Sequence, residues 1–232
     1  MSDSGGELRK AQRRSLGQEA ADRVRDAVFA GYFAPGAPLR EVELAASLEI
    51  SRGSVREGLA RLEQEGLVRS VWHRGTRVIE LSAADVDEVY TVRAALERLA
   101  FATAAGRIDA SALAGLDGVV DGMARSLAEG ADGPALLALD MDFHDRVYEA
   151  AANRRLLDAW HAVRSQVYLF QLTRIARDDA EYRGILVGEH RELAGLLRRG
   201  DTACLAVAAE EHVDSARRRL VRILADTGTT EA

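Results

Sequence analysis

Among 232 residues there is one cysteine, three prolines and only 5% aromatics, and of the 31 basic residues only Lys10 is a lysine. With Cys204 alone the chain has no disulfide framework and no paired-thiolate metal site. No stretch approaches the roughly 18 uninterrupted apolar residues of a membrane span, so no membrane contact is expected. The amino end lacks the apolar core of an export signal, which leaves the cytoplasm as the expected location. Proline is also unevenly placed: Pro35 and Pro38 fall early, and Pro134 alone interrupts the rest of the chain. The second half therefore reads as nearly all helix.

The chain is 47% hydrophobic and 29% charged, the composition of an ordinary globular protein long enough for one large domain or two small ones. The net charge of −6 would by itself argue against a nucleic-acid partner. Its distribution removes that objection. Residues 1–80 hold 13 Lys+Arg against 12 Asp+Glu, and residues 81–232 hold 18 against 25, so the halves carry +1 and −7. Screening confines charge effects to about 8 Å at physiological salt, so an acidic second half does not prevent local arginines in the first from meeting phosphate.

In the first half, Ser15 and Gln18 form a capping box ahead of Leu16, Ala20, Val24, Ala27 and Val28 at helical spacing, and Gly31 supplies a stop. The turn-rich segment 33–38 connects to a short helix carrying Val42, Leu44, Ala45 and Leu48. After a tight turn at Glu49 and Ile50, Ser51 caps a third helix over about 52–65, with Val55, Leu59 and Leu62 inward. Two helices joined by so short a turn indicate a helix-turn-helix. Arg52 and Arg56, four apart, share one face near the amino end of the third helix with Ser51, Gly53 and Ser54. That end of a recognition helix meets base edges and phosphates, and the arginine fork can bond guanine O6 and N7 together. Two β-prone runs, Leu67 to Trp72 and Arg77 to Ile79, flank His73, Arg74, Gly75 and Thr76, the pattern of a two-stranded wing with a cation and a close-approaching backbone at its tip.

The run Pro35-Gly36, Leu39-Arg40-Glu41, Glu43-Leu44-Ala45, Ser51-Arg52, Val55-Arg56-Glu57, Leu62-Glu63, Glu65-Gly66-Leu67-Val68 and Arg74-Gly75-Thr76 resembles the winged helix-turn-helix of the GntR family of bacterial transcription regulators. The resemblance covers about residues 15–80. It implies operator contacts by Arg40, Ser51, Arg52, Ser54, Arg56, Arg74 and Gly75. Two departures stand out: Val42 replaces an arginine that many relatives carry, and Glu49 replaces the glycine of the turn.

Ser82 and Asp85 form a further capping box, and a helix over 83–105 follows with hardly any linker. Further helices are expected over 110–129, 134–151, 154–173, 180–199 and 202–225, with starts marked by Asp109, Gly133-Pro134, Asn153, Asp179 and Asp201, and Gly200 ending the fifth. Asp140 and His144 are four apart and point the same way, while His190 and His212 lie in two later helices. If those faces converge they offer one carboxylate and three imidazoles, a set suited to Zn, Ni, Mn or Fe(II) with positions open for water or a small anion. From spacing alone, histidines on long helices are more often surface or core residues than ligands, and His161, beside Trp160 and without a comparable partner, is read as structural.

The segments Asp140 to His144, Ala150 to Asn153, Glu189 to Leu193 and His212-Val213, with Val92-Arg93, Leu96 and Glu97 on the opening helix, resemble the FCD effector domain of the FadR subfamily. This implies a divalent metal on Asp140, His144, His190 and His212 at the floor of an effector pocket. It also implies a small carboxylate effector facing Arg93, which could instead pair with Glu97 at i+4. Six helices rather than seven suggest the VanR-like branch. The expectation is a mainly α chain: mobile tails at 1–14 and 227–232, a winged helix-turn-helix domain at 15–81, and an all-α six-helix effector-binding bundle at 82–226. The expected function is that of a homodimeric repressor on palindromic double-stranded operator DNA, released by a small organic acid. No sign for that coupling is written in the residues. A metal-dependent enzyme is the competing class, disfavoured because no separate nucleophile or general-acid motif exists; a purely structural metal is the third reading.

Overall fold

Small residues set the first packing contact. Helix α1 (Leu16–Phe29) buries Gly17, Ala20, Ala21, Val24 and Val28, and lies against α3 (Arg52–Gln64), which buries Val55, Gly58, Leu59 and Leu62. A Cβ placed on Gly58 would sit 2.8 Å from both the Ala20 Cβ and the Gly17 carbonyl oxygen, so the two backbones approach as closely as they do only because that position is glycine. The computed structural model describes residues 16–228. Ser15, expected to cap α1, and most of the two expected tails lie outside the described residues.

Between α1 and α3 runs α2 (Glu41–Leu48), ended by Glu49 at φ 55°, in the left-handed region. Ser51 caps α3 as expected, its Oγ accepting from the Ser54 amide at 3.1 Å. The wing is larger than a hairpin. Strands β2 (Val68–Val71) and β3 (Gly75–Val78) pair antiparallel, and β1 (Pro38–Leu39) adds to the other side of β3, giving the order β1-β3-β2. The segment 33–38, read as a connector, thus ends in an edge strand. Proline is tolerated there because an edge residue need not donate, and the neighbouring Ala37 carbonyl accepts from Val78 N at 3.0 Å. Trp72, expected in a strand, falls in the turn instead.

This winged part, residues 16–64 together with 68–78, is one of two compact units; the other holds 65–67 and 79–228. The second unit is six helices: α4 (Ala83–Ala105), α5 (Ala110–Ala128), α6 (Gly133–Ala150), α7 (Arg154–Arg177), α8 (Asp179–Arg199) and α9 (Thr202–Gly228). The Ser82–Asp85 capping box forms in both directions. Asp109, Asp132 and Asn153 cap α5, α6 and α7, with Pro134 in the first turn of α6, and Gly200 ends α8. One start differs from expectation: Asp178, not Asp179, caps α8 by accepting from the Glu181 amide at 3.3 Å. The same residue closes α7, which therefore runs to Arg177 rather than 173.

The core joins α5, α6, α7 and α8 through Leu116, Met123, Phe143, Tyr148, Trp160, Leu186 and Leu193. The Tyr148 and Trp160 rings stack at 4.8 Å and 4°. A second cluster, Val86, Tyr90, Phe170, Val213 and Leu220, seals α4 against α7 and α9. Into the space between these clusters the bundle admits an unusual set of buried polar side chains: Arg93, Glu97, Asp140, His144, Gln171, Arg174 and His190. His161 is exposed, so it is not the structural histidine expected from its place beside Trp160.

Candidate DNA-binding face and metal centre

On the winged unit, Arg52 and Arg56 project from the first turns of α3 and are exposed. Both meet the Glu41 carboxylate at the start of α2: Arg56 donates through Nε at 3.0 Å and Nη2 at 2.9 Å, and Arg52 Nη2 lies at 3.5 Å. Arg40 donates to Glu43 at 2.8 Å. Arg40, Arg52, Arg74 and Gly75 border one open concavity, so the edge strand, the recognition helix and the wing tip share a face. Val42 lies in that concavity and is 60% exposed, an apolar side chain where an arginine would extend a cation. At the wing tip His73 (φ 59°) and Gly75 (φ 72°) adopt left-handed conformations, which turns the chain between β2 and β3. Trp72 is 86% exposed beside them, a feature the strand reading of the sequence concealed.

In the helical unit, three helices bring three imidazoles together. One nitrogen from each of His144 (α6), His190 (α8) and His212 (α9) lies within 4.8 Å of the others. Asp140, one turn before His144, places Oδ1 at 3.2 Å from His190 Nε2 and 3.4 Å from His144 Nε2. The three histidines therefore converge, and Asp140 meets two of them. Each imidazole is held from behind at Nδ1. His190 Nδ1 donates to the Leu186 carbonyl at 2.7 Å, and His212 Nδ1 to Glu189 at 2.7 Å. His144 Nδ1 lies 2.9 Å from Glu97 Oε1, close but not aligned as a directed hydrogen bond. A partner on Nδ1 fixes the tautomer that leaves Nε2 free to face a metal, which is how outer groups orient histidine ligands. The residues fit a divalent cation.

The electrostatics follow from burial and charge. Burial disfavours charge on His144, but Glu97 and Asp140 outweigh it and push the imidazole up to about 9. Partial burial and two neighbouring imidazoles push His212 down to about 4 despite Glu189. Burial also opposes ionisation of Asp140, yet His190 and His144 hold it well below the usual carboxylate range. When His144 is neutral its Nε2 can accept from Arg93 Nη2 at 3.2 Å; when it is protonated, Asp140 Oδ1 is the acceptor within reach. A divalent ion would take the place of that proton.

Arg93 is fully buried on α4, 3.5 Å from Glu97 and over the rings of Tyr90 and Trp160 at 5.5 and 5.7 Å. The Glu97 pair and the inward position occur together. Sequence reasoning missed Glu189 and Tyr182, whose hydroxyl donates to Asp140 Oδ2 at 3.0 Å. Glu189 directly precedes His190, but nothing in the spacing showed that α8 would turn it toward α9. Arg164, ambiguous by periodicity, pairs with Asp145 at 2.7 Å and is spent on structure.

Residues 16–78 match the bacterial regulatory proteins of the gntR family, and residues 88–215 match the FCD domain. The chain belongs to the GntR family. Among GntR-type relatives it is 32% identical to the "Probable D-xylose utilization operon transcriptional repressor" of Paenarthrobacter nicotinovorans, over 88% of each chain. It is 26% identical to the Uxu operon transcriptional regulator of Escherichia coli K12, over 88% of this chain and 86% of that one. The solved structure of E. coli McbR/YncC shares the fold at a TM-score of 0.75 and 20% identity, covering 93% of this chain and 99% of that one. This GntR protein is therefore a bacterial transcriptional regulator rather than an enzyme, with a winged helix-turn-helix followed by an all-helical FCD domain. No helix among the described residues is long and apolar enough to cross a membrane.

Proposed function

We propose that this GntR regulator is a homodimeric, cytoplasmic repressor whose operator affinity is lowered when a small carboxylate effector binds at a divalent metal held by Asp140, His144, His190 and His212. The observation that carries the reading is the convergence of three imidazoles from three helices, two of them hydrogen-bonded from behind at Nδ1 and the third facing the Glu97 carboxylate there. The metal supplies an open coordination position for an acid oxygen. Arg93 adds charge-assisted hydrogen bonds to that oxygen once its guanidinium turns from His144. On the DNA side, Arg40, Ser51, Arg52, Ser54, Arg56, Arg74 and Gly75 read one operator half-site, and twofold pairing matches inverted half-sites.

Arg93 and Glu97 sit on α4, whose first residue comes only a few positions after the last residue of β3. A shift of α4 on effector binding is the step that changes DNA affinity, by about 1–3 kcal/mol of coupling. The test measures metal content and operator binding together. Wild type should hold about one ion per chain and release DNA when an organic acid binds, and His190→Ala should lose both properties. Wild type without metal would overturn the reading.

One observation favours a purely structural metal: as it stands, the cavity beside the histidines has room for about one water-sized particle. Under that reading His190→Ala lowers stability while each folded molecule keeps its effector response.

A further inference from the structure

Arg174, on α7, is a buried cation with no ion-pair partner among the described residues. It is 2% exposed. Its Nη1 donates a long bond of 3.4 Å to Gln171 Oε1, and its guanidinium lies 5.4 Å from the Tyr182 ring centre. Nε and Nη2 have no hydrogen-bond partner among the described residues. On α9, Arg219 pairs through Nε with Glu181 at 2.8 Å while its buried Nη1 is likewise unmet. Both arginines line the same cavity as Asp140, His190 and His212.

Buried donors are nearly always satisfied, so a cluster of orphan guanidinium nitrogens beside a cation site calls for an acceptor. A single water has two lone pairs and cannot serve three such nitrogens, whereas a carboxylate offers about four acceptor sites in the plane a guanidinium matches. Charge points the same way. Among the fully buried groups Arg93 and Arg174 face the carboxylates of Glu97 and Asp140. A divalent ion on neutral imidazoles then leaves two positive charges in excess, offset only in part by the half-buried Glu189. An anion held at Arg174 offsets what remains of that excess.

We infer that Arg174, with Arg219 Nη1 in the same cavity, is a second anion subsite, and that the effector is a compact dianionic acid with one group on the metal and the other on Arg174. The inference rests on the metal-bound acid effector proposed above and adds its chemical class. Size sets the word compact, since the cavity admits little beyond one water before side chains move.

The test uses the full-length, Zn-loaded protein in calorimetric titrations with acetate, malonate and succinate, after metal content has been measured. One of the dicarboxylates should bind wild type at least about tenfold more tightly than acetate, the gain expected of a second charge-assisted anchor. Arg174→Gln should abolish that advantage while leaving metal content and acetate affinity unchanged. Equal binding of acetate and both dicarboxylates by a metal-containing wild type overturns the second subsite and leaves the metal reading standing. An unchanged dicarboxylate advantage in Arg174→Gln also overturns it. A wild type that takes up no metal overturns both. Should Arg174→Gln fail to fold, the wild-type comparison decides by itself.

Discussion

The Glu41 carboxylate at the start of α2 grips the Arg56 guanidinium of α3 at two points, 3.0 Å from Nε and 2.9 Å from Nη2. It thereby ties the recognition helix to its neighbour and holds Arg56 extended before DNA arrives. Arg56 faces solvent, so the pair contributes little to stability. Its value lies in orientation. Glu41→Ala should leave thermal unfolding nearly unchanged and weaken operator binding, which a fluorescence titration at fixed salt measures. The hydrogen bond and charge of Arg56 hold the Glu41 carboxyl below its ordinary 4.5. A lowered carboxyl stabilises the fold above the unfolded value and loses that contribution as pH falls through the folded one. The clamp is therefore closed at neutral pH and opens only in acid.

Arg52→Ala and Arg56→Ala should each reduce operator affinity while shifting stability by no more than about 0.5 kcal/mol, because both are exposed. Loss of a base-reading arginine lowers discrimination at its own position in the site by about 1–3 kcal/mol, whereas loss of a phosphate-contacting one weakens binding to all sequences alike. Titrations against a panel of single-base operator variants separate the two roles. Unchanged affinity in both variants would remove α3 as the reading helix.

Glu97→Gln probes the metal centre from behind. The amide keeps the shape but loses the charge that faces His144 Nδ1 at 2.9 Å. Metal affinity should fall about 10- to 100-fold, the usual effect of removing an outer partner of a histidine ligand. Buried Arg93 would also lose its counter-charge, so the metal-free protein should be destabilised by about 3 kcal/mol. Chelator competition reads the first effect and denaturant unfolding the second.

Glu49 at φ 55° ends α2 in a conformation that a side chain disfavours. Glu49→Gly should raise stability by about 0.5–1 kcal/mol, the relief of strain exceeding the entropy gained by the unfolded chain. Glu49→Ala, which keeps the Cβ, should show no such gain. Equal unfolding midpoints for the wild type and the glycine variant would mean that the turn is not strained.

Much of this architecture was legible in the residues because its signals are local. Ser82 with Asp85, Asp109 and Asn153 announce helix starts through side chains that reach only three residues ahead. The Asp140–His144 pair follows from helical pitch alone. What the residues left open depends on packing between helices. Strand β1 is two residues long, too short for an alternation to register, and exists because β3 offers it an edge. Asp178 and Asp179 are equivalent as letters; only the geometry of the α7–α8 corner selects the first. The outer partners Glu97 and Glu189, and the inward turn of Arg174, are fixed by which helix faces meet, which no single periodicity reports.

The contact at Gly58 constrains how such a reader can diverge. A methyl group there would collide with the Ala20 side chain and the Gly17 backbone, so the rear of the recognition helix cannot be varied to tilt or shift it against α1. If Ser51, Arg52, Ser54 and Arg56 read the operator as proposed, changes of preference are expected on that outward face. A designer seeking new DNA targets with this scaffold would keep Gly58 and randomise those four.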